Sequence, residues 1–217
     1  MAQSATLHEA ARNVLSRGKW CETRRTALYS KCQALLARIV EHCGMVLAEQ
    51  PVKAGEVAGT IPLSESQFGE LFAAASEADV QPRVVWSDGV NELAVDVAET
   101  TLAVLDGAVR VTVPVDSDQT GRQDITILFT TGSPDRPAGL LFATETVPSG
   151  PAEIVDMWGD ALIAFGWTAL LRSLVALGEA AGRDEDGSAL LPASLTSRPG
   201  GVEVRVMAGH MTDRIAR

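Results

Sequence analysis

Two Asp-Gly pairs constrain this chain more than any other feature. Asp88-Gly89 separates Arg83–Ser87 from Asn91–Val97, and Asp106-Gly107 separates Leu102–Leu105 from Ala108–Val115. The flanking runs are rich in valine. Between such runs Asp-Gly favours a tight type I′ hairpin, because both central residues of that turn need positive φ. Leu93, Val95 and Val97 alternate with Glu92, Ala94 and Asp96. Val109, Val111, Val113 and Val115 alternate with Arg110, Thr112 and Pro114. A period of two predicts a sheet with one buried and one wetter face, and Pro114 points to a sheet edge or a strand end. More strands are expected at Asp124–Thr130, at Leu140–Thr144 and through Val202, Val204 and Val206, with an extended segment at Gly55–Leu63. Residues 183–201, polar and containing Gly and Pro, read as a loose loop.

Helical signals flank the strands. Ser64 followed by Gln67 is a capping-box pattern that opens a helix to about Ala78, with Phe68, Leu71, Phe72 and Ala75 on its core side. Ser149-Gly150-Pro151 precedes the most apolar stretch, which predicts a helix from Pro151 to about Ala181. Met157, Trp158, Leu162, Phe165, Leu170, Leu174 and Leu177 line it. A helix apolar on most sides is a central core element or an oligomer contact. Its most membrane-like stretch, Ala161–Leu171 between Asp160 and Arg172, is shorter than the ~20 residues that span a bilayer. Upstream, Thr6 and Glu9 fit a capping box before Leu7–Ser16, Gly18 interrupts, and a longer helix is expected from Cys21 to about Glu49. Its apolar stripe includes Leu28, Cys32, Leu35, Leu36 and Ile39 at heptad-like spacing, with Arg25 and His42 interrupting.

Charge divides the chain at about the same place. Residues 1–50 hold 7 Lys/Arg against 4 Asp/Glu, whereas residues 51–217 hold 11 against 24. The expected organisation is a helical N-terminal arm, residues 1–50, on an acidic α+β body, residues 51–217. The fold class is α+β: an N-terminal helical hairpin, and a mainly antiparallel sheet of five to seven strands with the long apolar C-terminal helix packed on it. The net charge of −10 argues against general nucleic-acid binding, which needs cationic side chains to neutralise phosphates.

The cysteines Cys21, Cys32 and Cys43 recur every 11 residues. That is about three helical turns, so they share a side yet lie ~16 Å apart along one helix, too far for a disulfide or a shared metal. The loop Asp116-Ser117-Asp118-Gln119-Thr120-Gly121 resembles half of a calcium loop and makes Asp116, Asp118 and Thr120 weak metal candidates, but Ile127 stands where a bidentate acid is needed. Glu153, Asp156 and Asp160 share one helical face, as expected near a positively polarised helix start. P-loop, dinucleotide-binding, nucleophile-elbow and zinc-protease motifs are lacking in the sequence.

These observations favour a non-catalytic protein-binding or assembly subunit, homodimeric and cytoplasmic, with no cofactor and no membrane insertion. Its partner surface is expected at Trp20, Arg24, Arg25, Leu28, Cys32, Leu35, Leu36 and Ile39. A second reading is a small-molecule-binding or sensory domain with a pocket between sheet and helix near Trp86, Phe129, Trp158 and Phe165. A third is a metal-dependent hydrolase using Asp116, Asp118 or Asp156.

Overall fold

The computed structural model describes residues 33–42, 44–47, 56–77, 81–132, 138–139 and 147–208. In chain order the elements are α1 (33–42), β1 (Val46–Leu47), β2 (Val57–Ser64), α2 (Glu65–Glu77), β3 (Arg83–Ser87) and β4 (Glu92–Asp96). A 3-10 turn (Val97–Glu99) follows, then β5 (Thr101–Leu105), β6 (Ala108–Ser117), β7 (Gly121–Thr130), β8 (Ala138–Gly139), α3 (Ala152–Ala181), β9 (Leu191–Arg198) and β10 (Gly201–Met207). The architecture is α+β with antiparallel sheets and a long apolar helix against them. The strands form two sheets, β1-β2-β10-β9-β8 and a meander β3-β4-β6-β5 with β7 on β6, in place of the single sheet expected from the sequence.

The meander follows from its turns. Asp88 and Asn91 close the first hairpin, with Gly89 at φ 95 as the first central residue and no positive φ at Val90. That is the type II′ pattern, in which Gly takes the first central place. In the second hairpin Gly107 is at φ 66 while Asp106 keeps a negative φ, so neither turn is the I′ form. A third turn, residues 118–120, ends at Gly121, φ 66, which pairs with Ser117. A three-residue loop followed by a left-handed glycine is a usual hairpin closure. It starts β7 three residues earlier than the apolar pattern indicated.

Alternation then sorts the side chains. Val109 lies opposite Phe129, Val111 opposite Ile127 and Val113 opposite Ile125, and all six are fully buried. β4 and β5 both pair with the same edge of β6, separated by the 3-10 turn, so they act as one interrupted strand. On the outer face Arg83 bridges Asp96 at 3.5 Å and Asp116 at 3.0 Å, and Arg122 reaches Glu99 and Asp96. This lattice ties β3, β4, β6 and β7 together, although exposed pairs contribute only about 0–1 kcal/mol each.

α2 has the apolar face read from the sequence: Phe68, Leu71, Phe72 and Ala75 are buried. Its capping box forms, with Ser64 N–H donating to Gln67 Oε1 at 2.9 Å and Gln67 N–H to Ser64 Oγ at 3.2 Å. α3 packs on α2 and against β7 and β9, while α2 also touches β2, β5 and β10. α3 passes close to β7 because position 166 is glycine: a Cβ there would meet Phe129 Cζ at 3.0 Å. α3 is long and apolar enough to cross a membrane by length and composition, but 67% of its most apolar window is buried within the fold, as in a core helix.

Two expectations are corrected. The segment expected as a loose loop contains β9, which pairs with β10 from Gly201↔Arg198 to Met207↔Leu191. The helix expected to reach Glu49 is helical through 42, and Gly44 at φ 66 is followed by β1. A left-handed glycine commonly closes a helix. The rest of the expected N-terminal hairpin and the strand at Leu140–Thr144 lie outside the described residues.

Candidate functional site

At one end of the meander, the turn after β3, the turn after β6 and the first turns of α3 converge. Gln119 Nε2 donates to Asn91 Oδ1 at 3.1 Å and holds the two turns side by side. Between them and α3 lies a cleft of about 310 Å³. Glu92, Asp118 and Glu153 supply its charge, Met157 and Trp158 its apolar wall, and among the described residues no basic side chain lines it. Asp88 organises the rim, accepting from the N–H groups of Val90 and Asn91, each at 2.8 Å. The Asn91 and Val90 backbone bonds, with the Asn91 side chain, hold the Asp88 carboxyl below its usual pKa.

An aromatic strip runs from the cleft along the β3 edge. Trp86 lies 6.4 Å from Trp158 and 6.4 Å from Phe165, edge-on to the latter. All three rings are half-buried, and around them Val85 is 59%, Val90 89% and Met157 44% exposed. Val85 stands on the opposite sheet face from Trp86, so both sides of the β3 edge present apolar surface.

The four aromatics expected to line a pocket are thus between sheet and helix, but in two roles. Trp86 packs on both Trp158 and Phe165, and only Trp158 of the four reaches the cleft. Phe129 is fully buried beneath Gly166. Of the expected partner-binding residues, Leu36 and Ile39 are each 1% exposed and belong to the protein's own core, while Leu35 is half-buried against it. Arg38 pairs with Glu70, so α1 lies beside α2. Leu36 and Ile39 therefore have no free surface to offer a partner. Trp20, Arg24, Arg25, Leu28 and Cys32 lie outside the described residues.

Of the three metal candidates, Asp116 lies near the end of β6, and Asp118 and Thr120 lie in the turn that follows. Asp116 is held by Arg83, and the hydroxyl of Thr120 sits 2.9 Å from that of Ser117. Asp118 faces the cleft. Among the described residues no three His, Cys, Asp or Glu side chains are grouped to hold a metal. Asp156 is exposed on α3. His42 Nδ1 lies 2.8 Å from Arg38 O, against a different groove of about 510 Å³ on the α2 side of the β9–β10 hairpin. That groove mixes Arg198 and Arg205 with Glu203.

Val85 is not singled out in the sequence as a binding residue because exposure at a sheet edge depends on which strand is outermost, and Met157 reads in the sequence as one of the apolar residues lining α3. The nearest signal was the Trp86 and Trp158 pair, read as pocket lining. Compared with protein-family models, curated proteins and solved structures, the chain matches none.

Proposed function

We propose that this protein is a non-catalytic protein-binding module, and that it binds through the aromatic strip and acidic cleft beside β3. The observation that carries this reading is the juxtaposition of exposed Val85, Val90 and Met157 with the half-buried Trp86–Trp158–Phe165 cluster. Aromatic anchors that are rigid on one side and open on the other are the usual energetic centres of protein interfaces. Glu92, Asp118 and Glu153 at the cleft select a partner segment carrying lysine or arginine beside apolar residues.

The test is fluorescence anisotropy of a labelled alternating Lys-Val peptide added to the full chain, with an alternating Glu-Val peptide as control. The Lys-Val peptide is expected to bind, to weaken as salt rises, and to lose about tenfold affinity with Trp158→Ala, equivalent to ~1.4 kcal/mol. Equal binding of both peptides, or no anisotropy change with either, refutes the reading.

A further inference from the structure

The hydrogen bonding of β3 determines which of its backbone groups are open. Asp88 N–H donates to Asn91 O across the turn, so this pair is bonded. Bonded and non-bonded pairs alternate along an antiparallel ladder. Trp86↔Leu93 and Val84↔Val95 are therefore the bonded pairs, and Arg83, Val85 and Ser87 turn their N–H and C=O groups away from β4.

The other edges of this sheet are each engaged at one point by another part of the chain. Val104 N–H on β5 donates to Glu65 Oε1 at 3.0 Å. On β7, Thr126 exchanges backbone bonds of 2.9 and 2.8 Å with Ser149. No described strand pairs with the outward side of β3. Natural edges are usually blunted by a central charge, a proline or a bulge. The middle of β3 is Val84-Val85-Trp86, and its ladder with β4 has no register shift.

We propose that β3 is a strand-addition site for an extended basic-apolar segment of a partner protein. This rests on the binding surface proposed above and specifies how that surface is used. The segment pairs with the outward groups of Arg83, Val85 and Ser87 and places alternate apolar side chains on Trp86 and Trp158. Charge complementarity sets its composition: at the Ser87 end the edge opens on the cleft of Glu92, Asp118 and Glu153, which no arginine or lysine among the described residues lines. A lysine or arginine of the segment occupies that end. In strand addition the main chain provides affinity and alternate side-chain positions provide specificity.

The experiment uses the full chain and the labelled Lys-Val peptide. Val85→Pro removes one outward N–H and leaves the bonds to β4, a position where edge strands accept proline. It is expected to keep the wild-type circular dichroism spectrum and to weaken the peptide at least tenfold, while Val85→Thr binds as wild type. A peptide N-methylated at alternate residues tests the same bonds from the other side and needs no protein variant. Its binding is expected to be lost. If Val85→Pro and the N-methylated peptide both bind like their parents, strand addition is overturned and the surface reading survives. If the parent peptide does not bind wild type, the surface reading fails and this inference with it. A wild-type dimer in sedimentation that Val85→Pro converts to monomer, without peptide binding, overturns the proposed occupant in favour of a second copy.

Discussion

Two glycines, both inside helices, are expected to respond in opposite directions to the same substitution. Gly69 lies in α2, and a Cβ built on it meets nothing within 4 Å. Gly69→Ala therefore keeps the whole helix-propensity gain of roughly 0.8–1 kcal/mol. Gly178 lies in the last third of α3, where a Cβ would stand 2.4 Å from Leu190 O and 3.2 Å from Leu190 C. That neighbour is backbone and cannot rotate aside. Leu190 N–H also bonds Gly182 O at 3.3 Å, so the start of β9 retreats only by loosening its tie to the end of α3. Reaching ordinary contact requires about one ångström of movement. Overpacking of this kind costs roughly 1–3 kcal/mol, and a rigid neighbour places Gly178→Ala at the upper end. After the propensity gain, the net loss is about 1–2 kcal/mol. Urea denaturation followed by circular dichroism reads both changes. With m of roughly 2–3 kcal/mol/M, the midpoint falls by about 0.5 M for Gly178→Ala and rises by about 0.3–0.5 M for Gly69→Ala. Midpoints that both rise refute the claim that Gly178 is required for helix–strand contact.

Leu36→Asp places a carboxylate where Leu36 is 1% exposed, so it is expected to lower stability by several kcal/mol and to leave the mass of the remaining folded protein unchanged. Calorimetry with light scattering checks this, and a fully stable variant of altered mass would return the heptad-like stripe to service as an oligomer surface. The Asp88 carboxyl is held below its usual value by the turn's N–H groups, chiefly those of Asn91 and Val90. A lowered folded-state value means that this contribution is complete above the unfolded pKa near ~3.9 and disappears as pH falls through the folded one. Carbon-detected NMR titration of Asp88 in the intact chain tests it, and a midpoint at or above the ordinary aspartate value counts against the turn geometry.

The parts of the fold legible in the sequence were those in which local chemistry and tertiary packing agree. Ser64 and Gln67 marked the start of α2, and both bonds of the box form. Alternating valines marked β6, and the apolar run after Pro151 marked α3 to its last residue at Ala181. Legibility ended where packing overrode local pattern. β9 carries Pro192 and several hydroxyl residues, which argues against a central strand, yet Pro192 pairs with Val206 at a register shift, where a missing N–H is tolerated. Gly44, with its left-handed φ just past α1, is a local helix-stop signal within the span expected to be helical to Glu49. The division into two sheets was not readable, because β2 pairs with β10 and nothing local to either strand names the other. The same holds for the site. Trp86 and Trp158 were conspicuous as residues, but the open β3 edge beside them is a property of strand order.

That distant pairing bears on how the protein reaches its native state during translation. β10 occupies the interior of its sheet, with β2 on one side and β9 on the other, and Ile61 finds Val204 only after nearly the whole intervening sequence has been made. A ribosome delivers β2 early and β10 late, so the emerging polypeptide carries β2 without its main neighbour while the meander hairpins close behind it. Contacts of such long sequence separation slow folding and prolong the exposure of sticky intermediates. The meander pairs strands that are neighbours in the chain, whereas β2 gains its main neighbour only once β10 has been made.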